Sequence, residues 1–388
     1  MTQAAANHPG ATAPSGLFQM RWAALVAGLR ADSLAAIVGA LVVCAGWIAF
    51  AAWKVTPGWV AAHSALLTTG IHDELPELGS KTLALALSPP SGRMIVLVGD
   101  SSLREAVTTE SDLASCMAKE IGHPEPTVML TAGGLTIFDE VAVLDQLSGR
   151  IHGAVVVEIS EFQLSMSPAT VRETPEAFVH SLPFVSDACR EELTKAGVAL
   201  PPLLHNYFFD NYPFFAARID SLVRFRPAYR VQPHFLDEHA PWTMHEWRSR
   251  PAAVRLRGWE ATYRQSRDVN FGIYARMLGR LRMAGLQPCL LRMVENPQTE
   301  LLCKGPELRL RQEYAEDVRR FAKSQGVPLI EDLEKIAELR PKDFTDYVHL
   351  RTNAARVRYT ACLARCVAEA LNGRTDFQVK VGRRGHRQ

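Results

Sequence analysis

The stretch MIVLVGDSSLREAV, Met94–Val107, carries an apolar run into Gly99-Asp100-Ser101-Ser102 and then into residues of helical composition. Met94–Val98 reads as a short buried strand, and Leu103–Ile121 as a helix ended by Gly122. The alternation continues on the carboxyl side. Thr127–Thr131 is a second apolar run, followed by Gly133-Gly134. Ile137–Leu147 carries Ile137, Val141, Leu144 and Leu147 on one helical stripe. Ala154–Ile159, AVVVEI, is a third run, apolar apart from Glu158. Runs of this kind suit strands buried on both faces of a parallel sheet.

The rhythm lapses over about 160–267, a region rich in Pro, aromatics and Arg. It resumes with a helix near Asp268–Ala284, a run at Pro288–Val294, a helix over Pro306–Ser324, a run at Val327–Leu333 and a last helix over Thr352–Leu371. Strands alternating with helices predict an α/β fold, a doubly wound and mostly parallel sheet of five strands interrupted by a large insertion.

Bulk properties narrow the class. The 388 residues suffice for one large domain or two ordinary ones, and 47% hydrophobic content supplies a real core. A net charge of +2 is too small to argue for a nucleic-acid partner, and none is expected. The seven Cys show no C-x-x-C pair and no zinc-ligand spacing, so neither a metal nor another cofactor is expected. Cys362 and Cys366, four apart on one helix, are badly placed to bridge each other.

Ser33–Trp53 is a run of 21 residues without a charge. At about 1.5 Å per residue it spans a hydrocarbon core of about 30 Å. Trp47, Trp53 and Trp59 cluster toward one end, as interfacial aromatics do. Arg21 and Arg30 precede the run and Lys54 follows it, a bias that favours a cytoplasmic N-terminus. The expected organisation is a cytoplasmic segment (1–32), a membrane anchor (33–53), a connector (54–90), a catalytic domain (91–373) and a basic, solvated tail (374–388).

Ligands of doubly wound sheets sit at the carboxyl ends of the strands, where Gly99-Asp100-Ser101-Ser102 falls. A serine at the mouth of the following helix points its hydroxyl into the crevice and joins its N–H to the helix terminus, which suits a nucleophile whose attack creates an oxyanion. Such a serine needs a base. DFTDYVHLRTNAARVRY supplies Asp346 and His349 just before the last helix, where Thr352 or Asn353 can cap. Asp-x-x-His can set the carboxylate against one imidazole nitrogen and leave the other for the serine. Either piece alone is commonly a turn or a surface loop. Their placement after the first strand and before the last helix of one domain points to a shared site. Ser102 is the alternative nucleophile if the turn is read one residue later, and otherwise a helix cap.

VLVGDSS resembles the first block of the SGNH (GDSL-type) hydrolases, and DYVHL resembles their last. The resemblance implies a flavodoxin-like sheet with Ser101 as nucleophile and Asp346 and His349 completing the triad. It implies an oxyanion hole from the Ser101 N–H, Gly133 or Gly134, and an asparagine after the third strand. The chain departs from the family there: Ser160-Glu161-Phe162-Gln163 follows AVVVEI, leaving Gln163 or Ser160 as the candidate third donor. An N-terminal anchor with a degenerate third block is similar to the accessory proteins of polysaccharide O-acetylation. That likeness implies serine-dependent O-acetyl transfer to an exported or envelope polysaccharide, beside a multi-span membrane O-acyltransferase on the extracytoplasmic face of the cytoplasmic membrane. An envelope esterase and a catalytically impaired scaffold that binds glycan are the alternatives.

Within the insertion, Tyr207, Phe208, Phe209, Tyr212, Phe214 and Phe215 either stack on sugar rings or form a small core of their own, and burial of aromatics favours the core. His205, His234, His239 and His245 lack metal-ligand spacing.

Overall fold

The computed structural model of the chain describes residues 34–63, 74–167, 186–198, 200, 204–211, 215, 252–302 and 305–372. The tail, the segment before residue 34 and most of the expected insertion, including Tyr212, Phe214, His234, His239 and His245, lie outside the described residues. The chain divides into two units, Met1–Thr56 and Pro57–Gln388.

The first unit contains helix α1, Leu34–Lys54. Ala36–Lys54 is long and apolar enough to cross a membrane, and none of it is buried by the protein.

The second unit opens with α2 (Pro57–Ala62) and α3 (Glu74–Leu87) and then alternates. Strand β1 (Arg93–Gly99) leads to α4 (Ser101–Ala106) and α5 (Glu110–Ile121), and β2 (Thr127–Thr131) leads to α6 (Ile137–Leu147). Strand β3 (His152–Ile159) is followed by α7 (Glu161–Ser165), α8 (Asp187–Lys195), α9 (Tyr207–Asp210) and the long α10 (Ala252–Met283). Strand β4 (Gln287–Arg292), α11 (Pro297–Leu302), α12 (Pro306–Gln325), β5 (Leu329–Ile330), α13 (Leu333–Ile336) and α14 (Asn353–Leu371) complete it.

The five strands form one sheet in the order β2-β1-β3-β4-β5, and every pairing is parallel. All carboxyl ends therefore share one edge. The order reverses between β1 and β3, the switch point where such sheets open a crevice. Side chains alternate between two cores. Met94, Val96, Val98, Val155 and Val157 pack with Leu78 of α3, Phe138 of α6, Tyr274 of α10 and Tyr314 of α12. Ile95, Leu97, Ala154, Val156 and Leu291 pack with Leu103 of α4, Leu113 of α5 and Tyr359 and Leu363 of α14. Burial on both faces is why the strands read as continuous apolar runs.

The structure corrects four sequence expectations. The helix expected over Leu103–Ile121 is two helices, because Val107 is extended and Thr109 caps a new start by accepting from the Asp112 N–H. The helix expected from Asp268 begins at Ala252, directly after Pro251, a residue type favoured at helix starts. The strand expected over Val327–Leu333 shrinks to Leu329–Ile330, since Asp332 takes a left-handed backbone (φ 57°) and α13 follows. The stretch expected as a connector holds α3, whose Leu78, Leu83 and Leu85 are buried. Cys44, Cys116, Cys189, Cys289, Cys362 and Cys366 are free thiols. Phe208 stacks on the buried Phe215 at 5.7 Å, while Phe209 is exposed.

Candidate active site

The turn after β1 is built around a buried carboxyl. Glu158, fully buried near the end of β3, accepts the Asp100 N–H through Oε2 (2.9 Å) and the Ser102 hydroxyl through Oε1 (2.7 Å). Burial, then the neighbouring Asp100 charge, push its pKa well above the usual carboxylate value, although both hydrogen bonds oppose the shift. Gly99 makes room for this side chain: a Cβ there would lie 2.6 Å from Glu158 Oε2 and 2.9 Å from Leu103 Cδ2. Asp100 caps α4 by accepting the Ser102 N–H (2.7 Å). Ser102 thus faces inward and is spent on Glu158, which rules it out as the nucleophile, and the capping role expected of it belongs to Asp100. Ser101, the first residue of α4, is left partly exposed above the sheet edge.

The candidate base, His349, comes from the loop before α14. Ser101 Oγ lies 2.9 Å from His349 Nε2, and His349 Nδ1 lies 2.8 Å from Asp346 Oδ2. Asp346 Oδ1 accepts the N–H groups of Val348 (3.0 Å) and His349 (2.9 Å). An ionised carboxylate only accepts, so Nδ1 carries the proton and Nε2 is the acceptor facing Ser101. Burial works against both charges, but mutual pairing outweighs it. The His349 pKa rises above its ordinary value through the Asp346 hydrogen bond and charge, with Asp100 and Glu105 adding to it. The Asp346 pKa falls below its ordinary value through His349 and the two backbone donors.

Three contacts hold that loop. Phe344 and Leu350 form an antiparallel bridge, and the Thr345 N–H donates to His349 O (2.8 Å). Asn296, buried after β4, donates Nδ2–H to Asp346 O (2.9 Å) and its N–H to Tyr347 O (2.7 Å). Arg356 of α14, 1% exposed, donates Nε–H to Glu105 O and Nη2–H to Leu350 O, each at 2.8 Å. It thereby ties the helix of Ser101 to the residue after His349.

Of the expected oxyanion donors, Gly133 and Gly134 occupy the exposed turn after β2, with Gly134 at φ 70°. Thr131 pairs with Gly99, so this turn and Ser101 leave adjacent strands at the same level. Gln163 and Ser160 do not fit the role. Ser160-x-x-Gln163 is a reciprocal capping box on α7: the Ser160 N–H donates to Gln163 Oε1 (2.8 Å), and Ser160 Oγ accepts the Gln163 N–H (3.2 Å). Gln163 Nε2–H donates instead to the buried Glu140 (2.7 Å). With both ends engaged and no exposed surface, Gln163 is a packing and capping residue.

Sequence reasoning missed Glu158, Asn296 and Arg356 as parts of this site. Only Glu158 left a signal, as the one ionisable residue in the otherwise apolar run AVVVEI. Among the described residues no group of three or more His, Cys, Asp or Glu side chains could hold a metal ion. The fold and site define the class: an α/β protein with a Ser–His–Asp chain at the carboxyl edge of a parallel sheet. No protein-family model matches the chain, and no curated protein matches it.

Proposed function

We propose that the protein is a membrane-anchored, serine-dependent acyl-transfer enzyme of the SGNH type that moves acetyl groups onto an exported or envelope polysaccharide. The observation that carries this reading is the unbroken hydrogen-bond chain from Ser101 through His349 to Asp346. Ser101 Oγ attacks the acyl carbonyl carbon while His349 Nε2 takes the hydroxyl proton. Collapse of the tetrahedral adduct breaks the bond to the leaving group, which leaves with that proton, and Ser101 carries the acyl group. A sugar hydroxyl then gives its proton to His349, attacks the acyl carbon and frees Ser101. The Ser101 N–H and the Gly133-Gly134 turn supply the oxyanion donors. The apolar α1 helix and the cationic bias on its amino-terminal side support an anchor with the α/β unit on the extracytoplasmic face, beside a multi-span acyltransferase.

One observation favours a second reading, a glycan-binding scaffold with weakened catalysis: the commitment of Gln163 to Glu140 leaves no side-chain donor on α7 for the oxyanion, and one lost donor costs about 10²–10³ in rate. Intact mass of the full-length chain in detergent, after exposure to a fluorophosphonate and separately to p-nitrophenyl acetate, tests the enzyme reading. One adduct is expected on the native chain and none on Ser101→Ala. A folded native chain that takes up neither reagent sinks it in favour of the scaffold.

A further inference from the structure

A polar cavity of about 250 Å³ opens where β4 and β5 end, on the same sheet edge as Ser101. Arg292, Glu295, Arg311, Asp332 and Glu334 line it. Resting on the acyl-transfer reading, we propose that this cavity is a subsite for a neutral, hydroxyl-rich stretch of the acceptor glycan, set to one side of the residue being acylated.

Four observations carry it. First, Arg292 in the wall and Glu161 near it hold polar atoms left without a partner among the described residues. Glu161, 4% exposed, has a buried Oε1 with no hydrogen bond, and Arg292 Nε is buried in the same state. Buried groups of this kind ordinarily meet a partner, and a ligand hydroxyl can both donate and accept. The Glu161 carboxyl is not itself part of the wall, but it lies near enough that, after burial, the charges of the wall residues Arg311, Glu295 and Arg292 act on it.

Second, charge selects the ligand. Arg292 pairs with Asp332 at 2.9 Å and lies 3.8 Å from Glu334, and Arg311 pairs with Glu295. Arg319 and Lys335 at the rim pair with Glu331 and Asp332. An anionic polymer would meet as many carboxylates as cations, whereas neutral hydroxyls find donors and acceptors at every step. Burial lifts the carboxyls of Glu161 and Glu334 to about 7, which leaves part of each uncharged near neutral pH.

Third, distance fits an oligosaccharide. Strand β1 is two positions from β4 and three from β5, so at about 4.8 Å per strand the cavity stands roughly 10–14 Å to the side of the nucleophile. That gap exceeds a single sugar ring and suits a short chain. Fourth, Asn296 lines the cavity and also holds the main chain of Asp346 and Tyr347. The cavity and the catalytic loop therefore share a rigid support.

The test uses the full-length chain in detergent with p-nitrophenyl acetate as acyl donor and, as acceptors, glucose, cellobiose, cellotetraose and tetragalacturonate. Cellotetraose is expected to accept acetyl with kcat/KM about tenfold or more above glucose, and tetragalacturonate to gain nothing from its length. Ala315 lines the cavity and belongs to no ion pair there, so Ala315→Trp fills the space without unpairing a charge. Ala315→Trp is expected to raise the KM for cellotetraose about tenfold with kcat within about twofold. Equal use of glucose and cellotetraose by the native chain would overturn the subsite, as would an unchanged KM in Ala315→Trp. Preference for tetragalacturonate would overturn the neutral ligand. Absence of acetylated Ser101 on the native chain would remove the acyl-transfer reading itself, an outcome visible before any acceptor is added.

Discussion

At the scale of single residues, the proposed acyl transfer makes the charge state of His349 decisive. Protonated His349 cannot take the Ser101 proton, so acylation rises with pH through the His349 pKa. That pKa sits above its ordinary value because Asp346 holds the imidazolium, despite burial that pulls the other way. The acid limb of the acylation rate is therefore expected to have its midpoint above about 6.5. In Asp346→Asn the counter-charge is gone while burial remains, so the midpoint moves to lower pH. The plateau falls at the same time by about 10³–10⁴, because the Asn amide donates to Nδ1 and turns the imidazole to the wrong tautomer. Fluorophosphonate labelling rates from pH 4 to pH 9 check both parts. A midpoint that stays in place when Asp346 is replaced would show that another group titrates in the acid limb.

At the scale of elements, the site depends on how two helices meet. Helix α4 carries Ser101 and α14 follows the His349 loop; Arg356 joins them by one guanidinium bonded to Glu105 O and Leu350 O. A lysine keeps the charge but presents one compact head group in place of a planar fork. Arg356→Lys is expected to slow labelling at least tenfold. Arg356→Met also removes one of the two cations beside the buried Glu105, leaving Arg104 at 3.5 Å, and is expected to cost about 1–3 kcal/mol in denaturant unfolding. Labelling by a folded Arg356→Lys chain at the native rate would end this assignment. The same elements show what is legible in a sequence. Strands β1, β2 and β3 and helix α6 stand within a residue or two of where their apolar patterns place them, because burial on both faces writes the pattern directly. The meeting of Ser101, Asp346 and His349 was legible from their residue types together with their placement, at a strand end and just ahead of a helix. The break between α4 and α5 was signalled by Thr109 with Glu110 and Asp112 behind it, but helical composition on both sides hid it. SEFQ is a capping box before it is anything else, and that is why Gln163 was misassigned. Asn296 and Arg356 left no mark, since each bonds a main-chain carbonyl far along the chain, Asp346 O and Glu105 O, and any polar sequence looks the same there.

At the scale of the whole molecule, the two units make opposite demands on solvent. On α1, Leu41, Val42, Trp47 and Trp53 are 64–72% exposed, an apolar surface that water does not tolerate over such a length. The unit from Pro57 onward buries its apolar side chains in two cores and is expected to remain soluble when cut free. Where to cut is decided by α3. Leu78 and Leu83 are almost fully buried and Leu85 nearly so, and each such side chain contributes about 1.5–3 kcal/mol by leaving water. Lys81 of α3 also bonds Glu110 Oε1, which in turn accepts the Met129 N–H on the open edge of β2. Removal of α3 would thus uncover part of a core and loosen the bond that blunts that edge. The combined loss is comparable to the about 5–15 kcal/mol that holds a typical domain together. A chain beginning at Pro57 is expected to unfold cooperatively and to label at Ser101 without detergent. A chain beginning at Ser91 is expected to melt at least 10 °C lower or to aggregate, given the few degrees that each kcal/mol moves a midpoint. Differential scanning calorimetry of the two chains decides it: equal midpoints would return residues 57–90 to the status of a connector, and α3 would then be a passenger on the domain.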